Sequence, residues 1–107
     1  LQMDPASVKA RLEEVANNSV IIDVREEAEF VGELGHIAGS RLVPMKSIAN
    51  SLEDLESLKD KEIILVCRSG ARSTTSAAIL KGLGFEDVKN MKGGMLQWKK
   101  SGFPIER

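Results

Sequence analysis

The chain has 107 residues, with 15 Lys and Arg against 16 Asp and Glu, a formal net charge of −1. That length suits one compact domain over residues 1–107, and the balanced charge gives no general attraction to nucleic acid or to an anionic membrane. A single cysteine excludes an internal disulfide and a multi-cysteine zinc site, so no metal or other cofactor is expected and a reducing, cytoplasmic setting is read.

The chain begins at Leu1, which leaves open a trimmed targeting segment or a longer parent protein. No apolar stretch reaches membrane-spanning length. Asp4-Pro5 reads as a helix start with proline in the first turn, and Val8, Leu12, Val15 and Ala16 follow at helical spacing up to Asn17-Asn18. Val20-Ile21-Ile22-Asp23-Val24 is a buried strand. It places Asp23 and Arg25 at a carboxyl end, the side of an open α/β sheet that faces its ligand crevice. A structural role is preferred for both: Asp23 accepting from loop backbone donors, and Arg25 paired with Glu29 four residues on.

Glu26 to Val31 reads as one short helix and Gly32 to Gly39 as turns. The lone histidine, His36, is read as a structural hydrogen-bonding group rather than a base. Arg41-Leu42-Val43 is a short strand closed by Pro44. Ile48, Leu52, Leu55 and Leu58 then line one face of a helix, with Glu53, Asp54 and Glu56 solvated outside.

Ile63-Ile64-Leu65-Val66 is a run of four apolar residues with three β-branched members, the signature of a strand buried on both faces. Cys67 follows it directly. From Ser73 the pattern turns helical through Ala77, Ala78, Ile79, Leu80 and Leu83, with Gly84 as a cap. Phe85 to Met91 is a last strand. After Gly93-Gly94, Met95 to Lys100 is a final helix ended by Ser101-Gly102, with Trp98 in the core. Strands alternating with helices imply βα crossover units and a mainly parallel sheet covered on both faces.

Cys67 therefore lies between a strand end and a helix start, where turn N–H groups and the helix dipole favour negative charge. A free thiol titrates near about 8.5, and at such sites beside cations the value falls to about 3.5–7.5. Arg68 and Arg72 supply the cations. The same ring of donors would hold an oxyanion against the sulfur. The competing readings are a buried structural thiol for Cys67 and solvated charges for the two arginines.

Cys67-Arg68-Ser69-Gly70-Ala71-Arg72-Ser73, taken with Ile22-Asp23-Val24-Arg25, Glu29-Phe30, Gly35-His36-Ile37-Ala38-Gly39-Ser40, Gly93-Gly94, Trp98 and Gly102-Phe103-Pro104, resembles the single-domain rhodaneses, a sulfurtransferase family. The resemblance covers nearly the whole chain. It implies a rhodanese-like α/β fold with a mainly parallel five-stranded sheet between helices and the cysteine loop at the strand ends. In that family six-residue loops accompany sulfur transfer, and related phosphatases and arsenate reductases use one residue more. Here four residues separate Cys67 from Arg72, and Ser73 stands where the longer loop would carry its arginine.

The chemistry that follows is a persulfide on Cys67, taken from a small anionic sulfur donor such as thiosulfate and passed to a thiol or cyanide acceptor. Backbone N–H groups from Arg68 through Ser73, Ala71 among them, would stabilise the anionic persulfide. Arg68 would attract the donor, Arg72 would add field or close the loop, and Ser69 and Ser73 would donate hydrogen bonds. Gly70 would allow a backbone conformation closed to other residues. A protein sulfur donor or acceptor is also compatible, and a monomer is expected. The alternatives are a persulfide carrier or interaction module with little turnover of its own, and a thiol phosphatase or arsenate reductase. The latter lacks a resolving thiol within the chain.

Overall fold

The computed structural model describes residues 2–14 and 18–107 of the chain. Five strands form one sheet: β1 (Gln2–Met3), β2 (Ser19–Asp23), β3 (Arg41–Leu42), β4 (Glu62–Val66) and β5 (Val88–Met91), in the order β1-β5-β4-β2-β3. Every pairing is parallel. β4 is central, so its apolar run is buried on both faces, with Ile63, Ile64, Leu65 and Val66 each no more than 1% exposed. The period of two divides that run between two cores. Ile63 and Leu65 pack with Ile22, Leu55, Leu80, Phe85 and Val88 on one side. Ile64 and Val66 pack with Val8, Ile21, Met91, Met95 and Trp98 on the other.

Helices cover both faces. α1 (Pro5–Leu12) and α5 (Gly94–Lys100) supply Val8, Met95 and Trp98 to one core. α3 (Leu52–Leu55) and α4 (Ala71–Gly82) supply Leu55 and Leu80 to the other. α2 (Glu27–Phe30) follows β2. At the start of α1 the Asp4 carboxylate accepts from the Ser7 N–H at 2.8 Å, with Pro5 in the first turn. Val15, Ala16 and Asn17, expected to continue that helix, lie outside the described residues. Trp98 is 1% exposed, and its indole N–H donates to the Pro104 carbonyl at 2.8 Å. Among the described residues no helix is long and apolar enough to cross a membrane.

Four expectations change. β1 is a two-residue edge strand paired with β5, too short to carry a pattern of its own. The helix expected through Ile48, Leu52, Leu55 and Leu58 is broken into 3₁₀ turns at Met45–Ser47, Ala49–Ser51 and Glu56–Leu58 around the single turn of α3. Ser and Asn compete for backbone groups in this stretch, and the Ser51 hydroxyl bonds back to the Ser47 carbonyl at 2.8 Å. The apolar side nonetheless faces inward, with Ile48, Leu55 and Leu58 buried.

α4 starts at Ala71, two residues before the position at which the periodicity becomes visible. Its inward face is Ser73, Ser76 and Leu80 rather than an aliphatic stripe, and Ile79 points outward at 38% exposure. The fourth change concerns Arg25, which does not pair with the Glu29 carboxylate. Arg25 precedes α2, so the helical i, i+4 geometry does not apply. It is 1% exposed, and its Nη2 and Nε lie 2.7 and 2.9 Å from the two oxygens of Asp23. Further bonds run to the Gly35 carbonyl at 2.6 Å and the Glu29 backbone carbonyl at 3.3 Å. This closed pair ties the end of β2 to the following loop. His36 acts locally as well, with Nδ1 2.8 Å from the Phe30 carbonyl and its ring stacked on Phe30 at 3.7 Å.

Candidate active site

Cys67 leaves the carboxyl end of the central strand and is 1% exposed. Gly70, at φ +106, turns the chain into α4, a conformation that residues with a Cβ rarely adopt. The turn brings the Gly70 N–H to 3.0 Å from Cys67 Sγ and the Ser73 hydroxyl to 3.4 Å. Burial pushes the thiol up. The Ser73 hydroxyl and the N–H groups of Ser73, Gly70 and Ser69 outweigh it and hold Cys67 below the ordinary thiol value. These donors sit at the start of a twelve-residue helix, so the turn favours negative charge on the sulfur.

The two arginines separate. Arg72, in the first turn of α4, binds the Glu29 carboxylate through both Nη atoms, at 2.6 and 2.7 Å. This bond is the main cause that depresses Glu29 to about 2, and it raises Arg72 above the usual guanidinium value. Arg72 is thereby committed to α2 and acts on Cys67 through its field. Arg68 is exposed and pairs with no carboxylate among the described residues. Ser69 and Ala71 are exposed beside it.

Two supports escaped the sequence reading as parts of the site. The Cys67 carbonyl accepts from the Met95 N–H at 2.8 Å and the Arg68 carbonyl from the Leu96 N–H at 3.0 Å, so the first turn of α5 pins the loop. That approach requires Gly94: a Cβ there would lie 2.4 Å from both carbonyl oxygens, at φ +59. The pair Gly93-Gly94 was visible as a landmark but not as a buttress. Asn90 is 3% exposed and accepts a hydrogen bond from the Ser73 hydroxyl. Its only signal was polarity at the position two after Val88, on the same buried side of β5.

Among the described residues, no three His, Cys, Asp or Glu gather as a metal site would need. A cleft of about 410 Å³ lined by Leu12, Ile37, Trp98 and Ile105 lies on the opposite core and includes no loop residue.

The family model of the rhodanese-like domain matches residues 4–101. Among curated proteins, the thiosulfate sulfurtransferase GlpE of Ectopseudomonas mendocina is 34% identical over 91 residues, which is 85% of this chain and 79% of that protein. The probable adenylyltransferase/sulfurtransferase MoeZ of Mycobacterium tuberculosis is 40% identical over 81 residues, 75% of this chain; the match spans only 20% of its length. Among solved structures, a rhodanese-like domain protein from Staphylococcus aureus superposes with a TM-score of 0.83 at 29% identity, covering 99% of this chain and 98% of that one. With its all-parallel five-stranded sheet and Cys67 in the turn from central strand to helix, the chain belongs to the rhodanese-like domain family.

Proposed function

We propose that this domain is a sulfurtransferase that moves a sulfane sulfur through a Cys67 persulfide, with thiosulfate as a competent donor and a thiol or cyanide as acceptor. The observation that carries the reading is a nearly buried sulfur facing N–H and hydroxyl donors at a helix start. The Cys67 thiolate attacks the outer sulfur of thiosulfate; the new S–S bond forms as the bond to the sulfonyl sulfur breaks, and both electrons leave with sulfite. The N–H groups of Ser69, Gly70 and Ser73 then hold the terminal persulfide charge. Attack by the acceptor on the terminal sulfur yields thiocyanate or an acceptor persulfide and regenerates the thiolate. Arg68 draws the anionic donor to the mouth, and Arg72, held by Glu29, adds positive field and fastens the loop. The relative named a thiosulfate sulfurtransferase supports this choice of donor.

Intact mass after incubation with excess thiosulfate tests the first half-reaction. A gain of about one sulfur atom, removed by cyanide or a thiol and absent in Cys67→Ser, is expected. An unmodified parent would exclude thiosulfate. A second reading, a carrier that takes sulfur from a partner protein, is favoured by the commitment of Arg72 to Glu29, which leaves Arg68 as the loop cation without a carboxylate partner among the described residues. It is also favoured by the match to a segment of the much longer MoeZ. Loading from a protein persulfide but not from thiosulfate would establish it.

A further inference from the structure

Ser73 has one hydroxyl proton and three acceptors around it: Cys67 Sγ at 3.4 Å, the Gly70 carbonyl at 3.2 Å, and Asn90 Oδ1. Asn90 sits on β5 with its side chain on the α4 side of the sheet, and the other end of its amide donates to Thr74 Oγ1 at 3.3 Å. Thr74 Oγ1 in turn donates to the Gly70 carbonyl at 2.7 Å, which also accepts the Thr74 N–H at 3.1 Å. A buried amide is therefore clamped between two hydroxyls of the first turn of α4, one of which touches the sulfur.

With Oδ1 toward Ser73, the hydroxyl proton is drawn to Asn90, and the Ser73 oxygen accepts from a protonated thiol. Once the sulfur carries charge, the hydroxyl proton must turn to it, and two oxygens would then face each other without a proton between them. A half-turn of the amide removes that conflict. Nδ2 then donates to Ser73 Oγ and Ser73 donates to the sulfur. Thr74 gives its proton to Oδ1, and the Gly70 carbonyl keeps the Thr74 N–H. Both hydroxyls, the amide oxygen and the Gly70 carbonyl keep a partner in each arrangement, and in the second the bonds run head to tail and strengthen one another.

We infer that Asn90 is a positioning residue for Cys67: its amide presents Oδ1 to Ser73 while the sulfur is a thiol and Nδ2 once the sulfur is charged, and so directs the hydroxyl proton that reaches it. The inference rests on the reading of Cys67 as an attacking thiolate. Among the described residues no side chain of β5 or α5 is bonded to the sulfur itself, so Asn90 reaches it only through Ser73. Of the neighbouring charges, Arg72 on α4 is paired with Glu29 on α2, and Asp23 with Arg25 beyond β2. Arg68 is the exposed cation of the loop itself. Glu29 ionises at about 2 and Arg72 above its usual value, so neither changes charge while the thiol titrates.

The test is the pH dependence of Cys67 alkylation by iodoacetamide, a neutral probe, in the parent, Asn90→Asp, Ser73→Ala and the double variant. A carboxylate at position 90 only accepts, so it holds the Ser73 proton away from sulfur. We expect the Asn90→Asp midpoint to move up and the rate at neutral pH to fall about tenfold. In the Ser73→Ala background, the same exchange keeps only the through-space charge effect, so the midpoint should move by clearly less than in the parent background. Equal shifts in both backgrounds, or none in Asn90→Asp, would overturn the role. If Asn90→Asp does not fold, the side-chain amide resonances of Asn90 decide the matter. They should move with the thiol titration in the parent and stay fixed in Ser73→Ala, and a fixed signal in the parent overturns the inference. Thiosulfate loading of the parent is scored separately, so its failure would sink the donor assignment without bearing on Asn90.

Discussion

Arg68 and Arg72 are the same residue type four positions apart, and their surroundings give them different tasks. Arg68→Ala removes an exposed charge with no carboxylate partner among the described residues. Stability should change by no more than about 0.5 kcal/mol, while persulfide formation from thiosulfate slows about three- to tenfold at low salt. Alkylation by neutral iodoacetamide serves as the control and should stay unchanged. Arg72→Ala leaves the Glu29 carboxylate one-third exposed and without its bidentate partner. Urea unfolding should show a loss of about 1–2 kcal/mol, discounted for that exposure. A stable Arg72→Ala protein would mean that the pair contributes nothing to holding α2 against α4. Sequence spacing alone treated both as loop cations, because the partner of Arg72 lies 43 positions away.

The elements that hold the loop are β4, α4 and α5, and the last acts through backbone alone. Gly94→Ala forces a Cβ against the carbonyl oxygens of Cys67 and Arg68, in a left-handed conformation. Relief requires α5 to withdraw and break the Met95 and Leu96 bonds to the loop. A loss of about 2–4 kcal/mol is expected by urea unfolding, together with a rise in the alkylation midpoint as the turn loosens. Gly102→Ala, at a position with open space around its Cβ, carries only the conformational part of that cost. A Gly94→Ala protein with parental stability would show that α5 does not brace the turn. α4 illustrates why boundaries were harder to read than existence. Its first buried positions are Ser73, which touches the sulfur, and Ser76, which bonds back to the Arg72 carbonyl, so the apolar period starts only beyond them.

At the scale of the whole molecule, the amino ends of the central strands are fastened by charge and the carboxyl end of β4 by the Cys67 turn. Glu62, at the start of β4, bonds Arg11 of α1, Ser19 of β2 and Lys89 of β5, the last at 2.5 Å. Burial works against its charge, and those partners prevail and bring it to about 2. A carboxylate held below its unfolded value of about 4.5 stabilises the fold above that pH. The contribution is lost as pH falls from about 4.5 toward 2, because the unfolded chain then binds more protons. Glu62→Gln should cost on the order of 2 kcal/mol at pH 7, and the gap from the parent should close by pH 3 or below. Urea midpoints at the two pH values measure it, and a gap independent of pH would show that packing, not charge, sets the cost. The sequence by itself determined the α/β class, the central strand and Cys67 at its carboxyl end, because a fully apolar run, a single cysteine and a change of period are local signals. Tertiary structure alone decided that Asp23 rather than Glu29 holds Arg25, that Glu29 holds Arg72, that Gly94 braces the turn, and that Asn90 reaches Ser73. The last three depend on which residues the parallel crossovers bring side by side, and the first on the turn that closes Arg25 back onto Asp23 two positions earlier; neither leaves a periodic trace along the chain.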